Sequence, residues 1–279
     1  MQLSSGFGWL KNRSIVVIGL LSLLVFLNYT LSSRLNALEV FSKDEQPFGA
    51  SYDTWIDKFW NWWVPLNVTE ATPQQGGCIM NGSEKMVPLM ETADVTYPPT
   101  QNCKISSTQG IYFPLWAAWC DTGGDLGNIK NPKVNLDEQL TKCAKEVYNL
   151  GDIKSEVKVD GNPVAKLDVR NSLISGKLDS KITTLSNVSD ISTKGFNITY
   201  ADTHKPNYPS GTWRAGSQGY WFFLKPLPPG EHTIFYSIRI TPTGALTSPG
   251  TNPHFADITY KFNVEGPVKQ AGNSSSSSP

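Results

Sequence analysis

Residues 52–63 read YDTWIDKFWNWW, six aromatic side chains in twelve positions, and any fold the chain adopts must find cover for them. Ser51 suits an N-cap, Asp53 stands in the first turn where negative charge complements the helix dipole, and Pro65 ends the run. Trp55, Phe59 and Trp62 fall at helical spacing. Ile56, Trp60 and Trp63 form a second stripe beside them, which leaves Asp57, Lys58 and Asn61 polar. The spacing predicts a short helix that plugs one end or face of a β-structure. So many tryptophans would also suit other surfaces: Trp55, Trp60, Trp62 and Trp63 are candidates for a membrane or partner helix, or for a sugar-stacking platform.

Ahead of this helix, Lys11 and Arg13 precede the apolar run IVVIGLLSLLVFL at 15–27, and Arg34 follows it. A basic flank before an apolar core is the pattern of a secretory signal. The run is short of the ~20 residues of a comfortable membrane span. Residues 1–37 are therefore read either as a cleaved signal peptide or as an uncleaved anchor, a transmembrane helix holding the protein to the outer face of the cytoplasmic membrane. Either way the bulk of the chain is expected to be extracytoplasmic. The sequons at Asn67, Asn81, Asn187, Asn197 and Asn273 all lie downstream and are candidate N-glycosylation sites.

An extracytoplasmic location decides how the cysteines are read. Cys78, Cys103, Cys120 and Cys143 are even in number, and their spacings fit neither a zinc ribbon nor a redox motif. Two disulfides are expected. The simplest of the three connectivities pairs Cys78 with Cys103 and Cys120 with Cys143.

Between 67 and 108 the chain is rich in breakers, with brief strands at 78–80 and 86–90. The run IYFPLWAAW at 111–119 suits a strand buried on both faces, with Pro114 placing it at a bulge or an edge. Residues 135–150 form an amphipathic helix capped by Asn135, with Glu138 in the capping-box position and Gly151 as the stop. From Ile153 the period changes to two. Ile153, Val157 and Val159 share a face, Asp160-Gly161 marks a tight turn, and further strands are expected at 164–169, 196–200, 219–224, 232–240 and 255–264. Residues 205–218 read as a Pro/Gly-rich loop, and 267–279 as a disordered Ser-rich tail. The fold class expected is mainly β: an antiparallel, jelly-roll-like β-sandwich over 38–266, with the Trp-rich helix and one further helix.

The candidate chemistry is sparse. Basic and acidic residues number 24 each, and without 1–37 the acidic ones lead by 24 to 21, so no basic stripe invites nucleic acid. His204, His232 and His254 would make a metal site only if the fold gathered them, and His232 shares an alternating face with Ile234, Tyr236 and Ile238. No cofactor is otherwise expected. Tyr208, Trp213, Tyr220 and Trp221 are candidates for glycan stacking, although Tyr220 and Trp221, as neighbours on a strand, point to opposite faces. No G-x-S-x-G, H-E-x-x-H or Cys–His protease signature appears. The reading is a non-catalytic binding or structural module of the cell envelope or the extracellular space, with a glycan or a protein as partner. A metal-binding or hydrolytic enzyme is the alternative.

Four segments together carry a resemblance: YDTWIDKFWNWW at 52–63, CIMNG at 78–82, the turn Asp160-Gly161, and GYWFFLKPLPPGEHTI at 219–234. Over about residues 50–264 the chain resembles a group of uncharacterised exported proteins of archaea and some bacteria. In these a Trp-rich helix precedes a Cys-containing β region closed by a Pro-Gly-x-His-x-Ile hairpin. The resemblance implies an exported β-sandwich and brings neither an activity nor site residues.

Overall fold

A computed structural model describes residues 38–65, 84–89, 100–123, 135–148, 151–174, 177–200, 210–242 and 254–266. The chain divides into the units Met1–Leu38 and Glu39–Pro279, and the fold concerns the second.

The described residues form a sandwich-like arrangement of two sheets. Helix α1 (Tyr52–Trp63) and helix α2 (Leu136–Tyr148) accompany them. The first sheet holds β1 (Met86–Pro88), β3 (Gly110–Asp121), β9 (Gly211–Leu224) and β7 (Ser189–Ser192) in that order, with β8 (Phe196–Tyr200) pairing the remaining stretch of the β9 edge. The second runs β2 (Thr100–Ser106), β11 (His254–Glu265), β10 (Gly230–Pro242), β4 (Gly151–Val159), β5 (Asn162–Ile174) and β6 (Lys177–Ser186). Most pairs are antiparallel, but β1 runs parallel to β3 and β2 parallel to β11. The sandwich is therefore mixed rather than purely antiparallel.

Burial patterns tell the two sheets apart. Along β4 buried positions alternate with others, because only one face of that strand is covered. Along β9 every residue from Ala215 to Leu224 is buried. Trp221 and Phe223 pack under α1, while Phe222 meets Phe113, which in turn meets Tyr236 of the second sheet edge-on at 5.4 Å. Helix α1 is seated by Trp55, Ile56, Phe59 and Trp60, all buried, and its start is capped by the Ser51 hydroxyl, which accepts from the Thr54 N–H.

Pro114 marks a bulge. The β3–β9 register shifts between Pro114 and Trp116, leaving Leu115 without a partner on β9. Strand β1 pairs only Gly110 to Tyr112, so Pro114 interrupts no ladder on that side. The carbonyl of the unpaired Leu115 accepts a hydrogen bond from the Tyr236 hydroxyl at 2.9 Å, a buried tie between the sheets.

Helix α2 covers the far end of β3 and β9. Asn135 caps it through Oδ1, which accepts from the Asp137 N–H. Leu140 and Ala144 are buried against Cys120. Cys120 and Cys143 form a disulfide across Cα atoms 5.9 Å apart. Gly216 permits this approach, since a Cβ there would lie 2.6 Å from the Thr141 nitrogen.

Three departures from the sequence reading stand out. Strands β2, β6 and β7 were not expected, and β9 begins at Gly211, inside the stretch read as a loop. The expected transmembrane helix, and with it the membrane anchor as partner and location, is corrected: among the described residues no helix is long and apolar enough to cross a membrane. The segment 1–37 and the tail 267–279 lie outside the described residues.

Replacing Tyr236 by Phe deletes the inter-sheet hydrogen bond and leaves the buried Leu115 carbonyl unsatisfied. It should cost about 1–3 kcal/mol, read as a lower denaturant midpoint at unchanged m-value.

Candidate ligand-binding site

The residues singled out by sequence land in different places. Of the cysteines, Cys103 is also disulfide-bonded, and Cys78 lies outside the described residues. Of the histidines, His204 lies outside too. His232 faces acceptor oxygens with both ring nitrogens, Nδ1 at 2.7 Å from Asp160 Oδ2 and Nε2 at 2.9 Å from the Pro228 carbonyl. His254 pairs with Ile240, eight residues along β10 from His232 and so ~26 Å away at ~3.3 Å per residue. That separation rules out a metal shared by those two, and among the described residues no group of three His, Cys, Asp or Glu could hold a metal ion. Asn187 and Asn197 are exposed, while Asn67, Asn81 and Asn273 lie outside the described residues.

The aromatic candidates among the described residues pack internally. Trp221 is wholly buried and Tyr220 is 4% exposed, because the helix covers one face of β9 and the second sheet and α2 the other. Tyr208 lies outside the described residues, and Trp213 is half-buried. On α1, Trp55 and Trp60 are buried against the sheet, so that face meets neither lipid nor a partner. Trp62 and Trp63 are half-buried on the same cluster. Trp119 lies 4.5 Å from Trp60 and 5.5 Å from Trp63, ring centre to ring centre. Three indole N–H groups are used internally: Trp55 donates to the Pro47 carbonyl, Trp60 to Ser217 Oγ and Trp119 to the Tyr200 hydroxyl. The Tyr200 hydroxyl in turn donates to Asp121 Oδ2, and Asp121 Oδ1 accepts from the Gly123 N–H at 2.8 Å. These rings and donors lock the helix to the sheet.

Burial of α1 is felt by its acids. Desolvation holds the Asp53 and Asp57 carboxyls above the usual aspartate range, against the pull of Lys194 on Asp53, and of Asn61 and Arg214 on Asp57. Desolvation also pushes the Tyr220 hydroxyl up to about 12. Asp137 is shifted the other way, lowered by its double hydrogen bond to Arg214.

A different surface has the character of a binding site. A groove of about 650 Å³ crosses β10, β11 and β2 at one end of the second sheet. The strand registers set six side chains on its walls in two rows of three: Glu231, Asn263 and Lys104 in one, Thr233, Lys261 and Asn102 in the other. Cys103, His232 and Phe262 lie between them in sequence and turn their side chains away, so their backbone forms the floor. All six wall residues are polar or charged. Glu231, Thr233, Lys261 and Asn263 make no side-chain hydrogen bond or ion pair with another described residue.

The groove is held in shape from below. Asp160 and Gly161 form the two-residue turn between β4 and β5 with φ of 51° and 77°, the left-handed region such a turn requires. From that turn Asp160 grips β10: its N–H donates to the Thr233 carbonyl at 2.9 Å, and its Oδ1 accepts from the Thr233 N–H at 2.7 Å. The position of Thr233 on the groove wall is thereby fixed by a neighbouring hairpin.

Sequence reasoning passed over all six wall residues. They sit at outward positions of alternating strands, where polar residues are expected for solubility alone. The parallel pairing of β2 with β11, about 160 residues apart in the chain, is what assembles the rows. No protein family model matches the chain, and no curated protein matches it significantly. Of the features that suggested a resemblance, the structure shows the Trp-rich helix and a disulfide-linked β-sheet domain, and no family, origin or activity follows from them.

Asp57→Asn removes a carboxylate that folding desolvates. A carboxyl raised in the folded state makes the native protein bind protons more tightly, so its ionisation subtracts stability as pH rises through the raised value. The variant should melt higher than the parent at pH 7, and the difference should vanish below the ordinary aspartate range, as followed by thermal unfolding across pH.

Proposed function

We propose that this protein is an exported, non-catalytic binding module of the cell envelope or extracellular space, and that it takes a glycan in the groove on the outer face of the second sheet. The reading is carried by one observation. Six polar side chains ring a groove of about 650 Å³, four of them with no side-chain bond to another described residue. Hydroxyl-rich ligands are recognised by such amide, hydroxyl and charged groups, placed on a rigid scaffold so that little ordering is lost on binding. Here the scaffold is β-ladder backbone rather than mobile loop.

Two further features support the reading. Glu231 is the one carboxylate among the groove-lining residues, whereas glycoside hydrolysis takes a pair. Disulfides, of which Cys120–Cys143 is one, form and persist in oxidising compartments, which favours an exported protein.

A glycan array probed with the disulfide-intact protein tests this, followed by calorimetry on the best binder. Combining Asn263→Ala with Thr233→Val should weaken that binding about tenfold or more, as two lost hydrogen bonds imply. Trp213→Ala should leave the affinity unaltered. A blank array, or a loss caused by the Trp213 change alone, would refute the assignment.

A further inference from the structure

Charge is distributed unevenly over the two rows, and this narrows the ligand. Lys104 stands at the β2 end of one row and Glu231 at its β10 end, with Asn263 between them. Lys261 is the middle of the other row, flanked by Thr233 and Asn102. With strands ~4.8 Å apart, the groove runs from an acidic corner to a basic side across ~10 Å. Lys104 and Lys261 are diagonal neighbours on adjacent strands, close enough for two four-carbon stems to converge on one anionic group.

Neither lysine is strongly engaged. Lys261 makes no ion pair with another described residue. The partner of Lys104 is Glu265, at 3.9 Å, with side chains 76% and 62% exposed. An exposed pair so long contributes little and is readily exchanged for a ligand anion. Glu231, at the opposite corner, repels an anion and accepts from a hydroxyl.

We infer that the groove selects an acidic glycan: a uronic acid unit whose carboxylate sits between Lys104 and Lys261, with the hydroxyls of its neighbour reaching Thr233 and Glu231. The inference rests on the glycan reading of the groove and adds the ligand's charge and direction. A span of ~10 Å accommodates two sugar rings, one over each end. The lysines act as point charges, so the preference falls with salt, as it does for any attraction between exposed charges.

The test is calorimetric titration of the full-length, disulfide-intact protein with trigalacturonate and with its carboxyl-reduced, neutral counterpart, at low and high sodium chloride. The uronate should bind at least tenfold tighter at low salt, and the margin should narrow at high salt. Lys261→Gln should bring uronate affinity down to the neutral level while leaving the neutral sugar unaffected, and Lys261→Arg should restore most of it. Lys261 is exposed, and circular dichroism verifies folding of both variants. Equal affinity for the two sugars, or a Lys261→Gln variant that keeps its preference, overturns the acidic selectivity while the groove remains a glycan site. Binding of neither sugar, with no other glycan captured, overturns both readings.

Discussion

The β3–β9 ladder is buried on both faces, and the rest of the structure is arranged to supply that cover. Helix α1 delivers Trp55, Ile56, Phe59 and Trp60 to one side; the second sheet and α2 share the other. Burying aromatic side chains is worth a few kcal/mol each, and Trp55, Phe59, Trp60, Tyr112, Phe113, Trp221, Phe222 and Phe223 are all buried here. The polar ties follow from it. Tyr236 answers the carbonyl freed by the Pro114 bulge, Ser217 receives the Trp60 N–H, and Gly216 gives way so that α2 can reach the sheet.

This arrangement has a consequence for function. The aromatic residues that look most like a binding surface are spent on holding layers together. The second sheet, covered on one face only, is free to present its other face to solvent. Its outward positions are therefore where recognition is affordable without weakening the core, and the array on β10, β11 and β2 occupies that face. The Asp160 turn then connects stability to site geometry, since the residue whose backbone turns the β4–β5 hairpin positions His232 and Thr233 through its carboxylate.

Much of this was legible in the sequence. Strict alternation in β4, β10 and β11, the capped helix expected at 135–150 and the Asp160-Gly161 turn all read directly from residue pattern, because each is decided by neighbours a few positions apart. Strand β2, TQNCKIS, was hidden because Gln101 is buried where an apolar residue was looked for. The first half of β9, GTWRAGSQ, reads as loop because its glycine at 216 answers a helix 75 residues earlier rather than a local turn. The groove was illegible for a related reason. A row such as Glu231, Asn263 and Lys104 exists only through strand register, which no local window contains. The opposite facing of Tyr220 and Trp221 was readable, but not that both faces of β9 would be covered.

The central claim is that ligand meets this protein on the outer face of the second sheet and not at its tryptophans. Amide chemical shifts of the isotopically labelled, disulfide-intact protein, followed during titration with an acidic oligosaccharide, test it most directly. The account predicts saturating shifts confined to the strand segments 102–104, 231–233 and 261–263. Shifts centred instead on Trp63, Trp119 and Trp213, with those three segments silent, would contradict it.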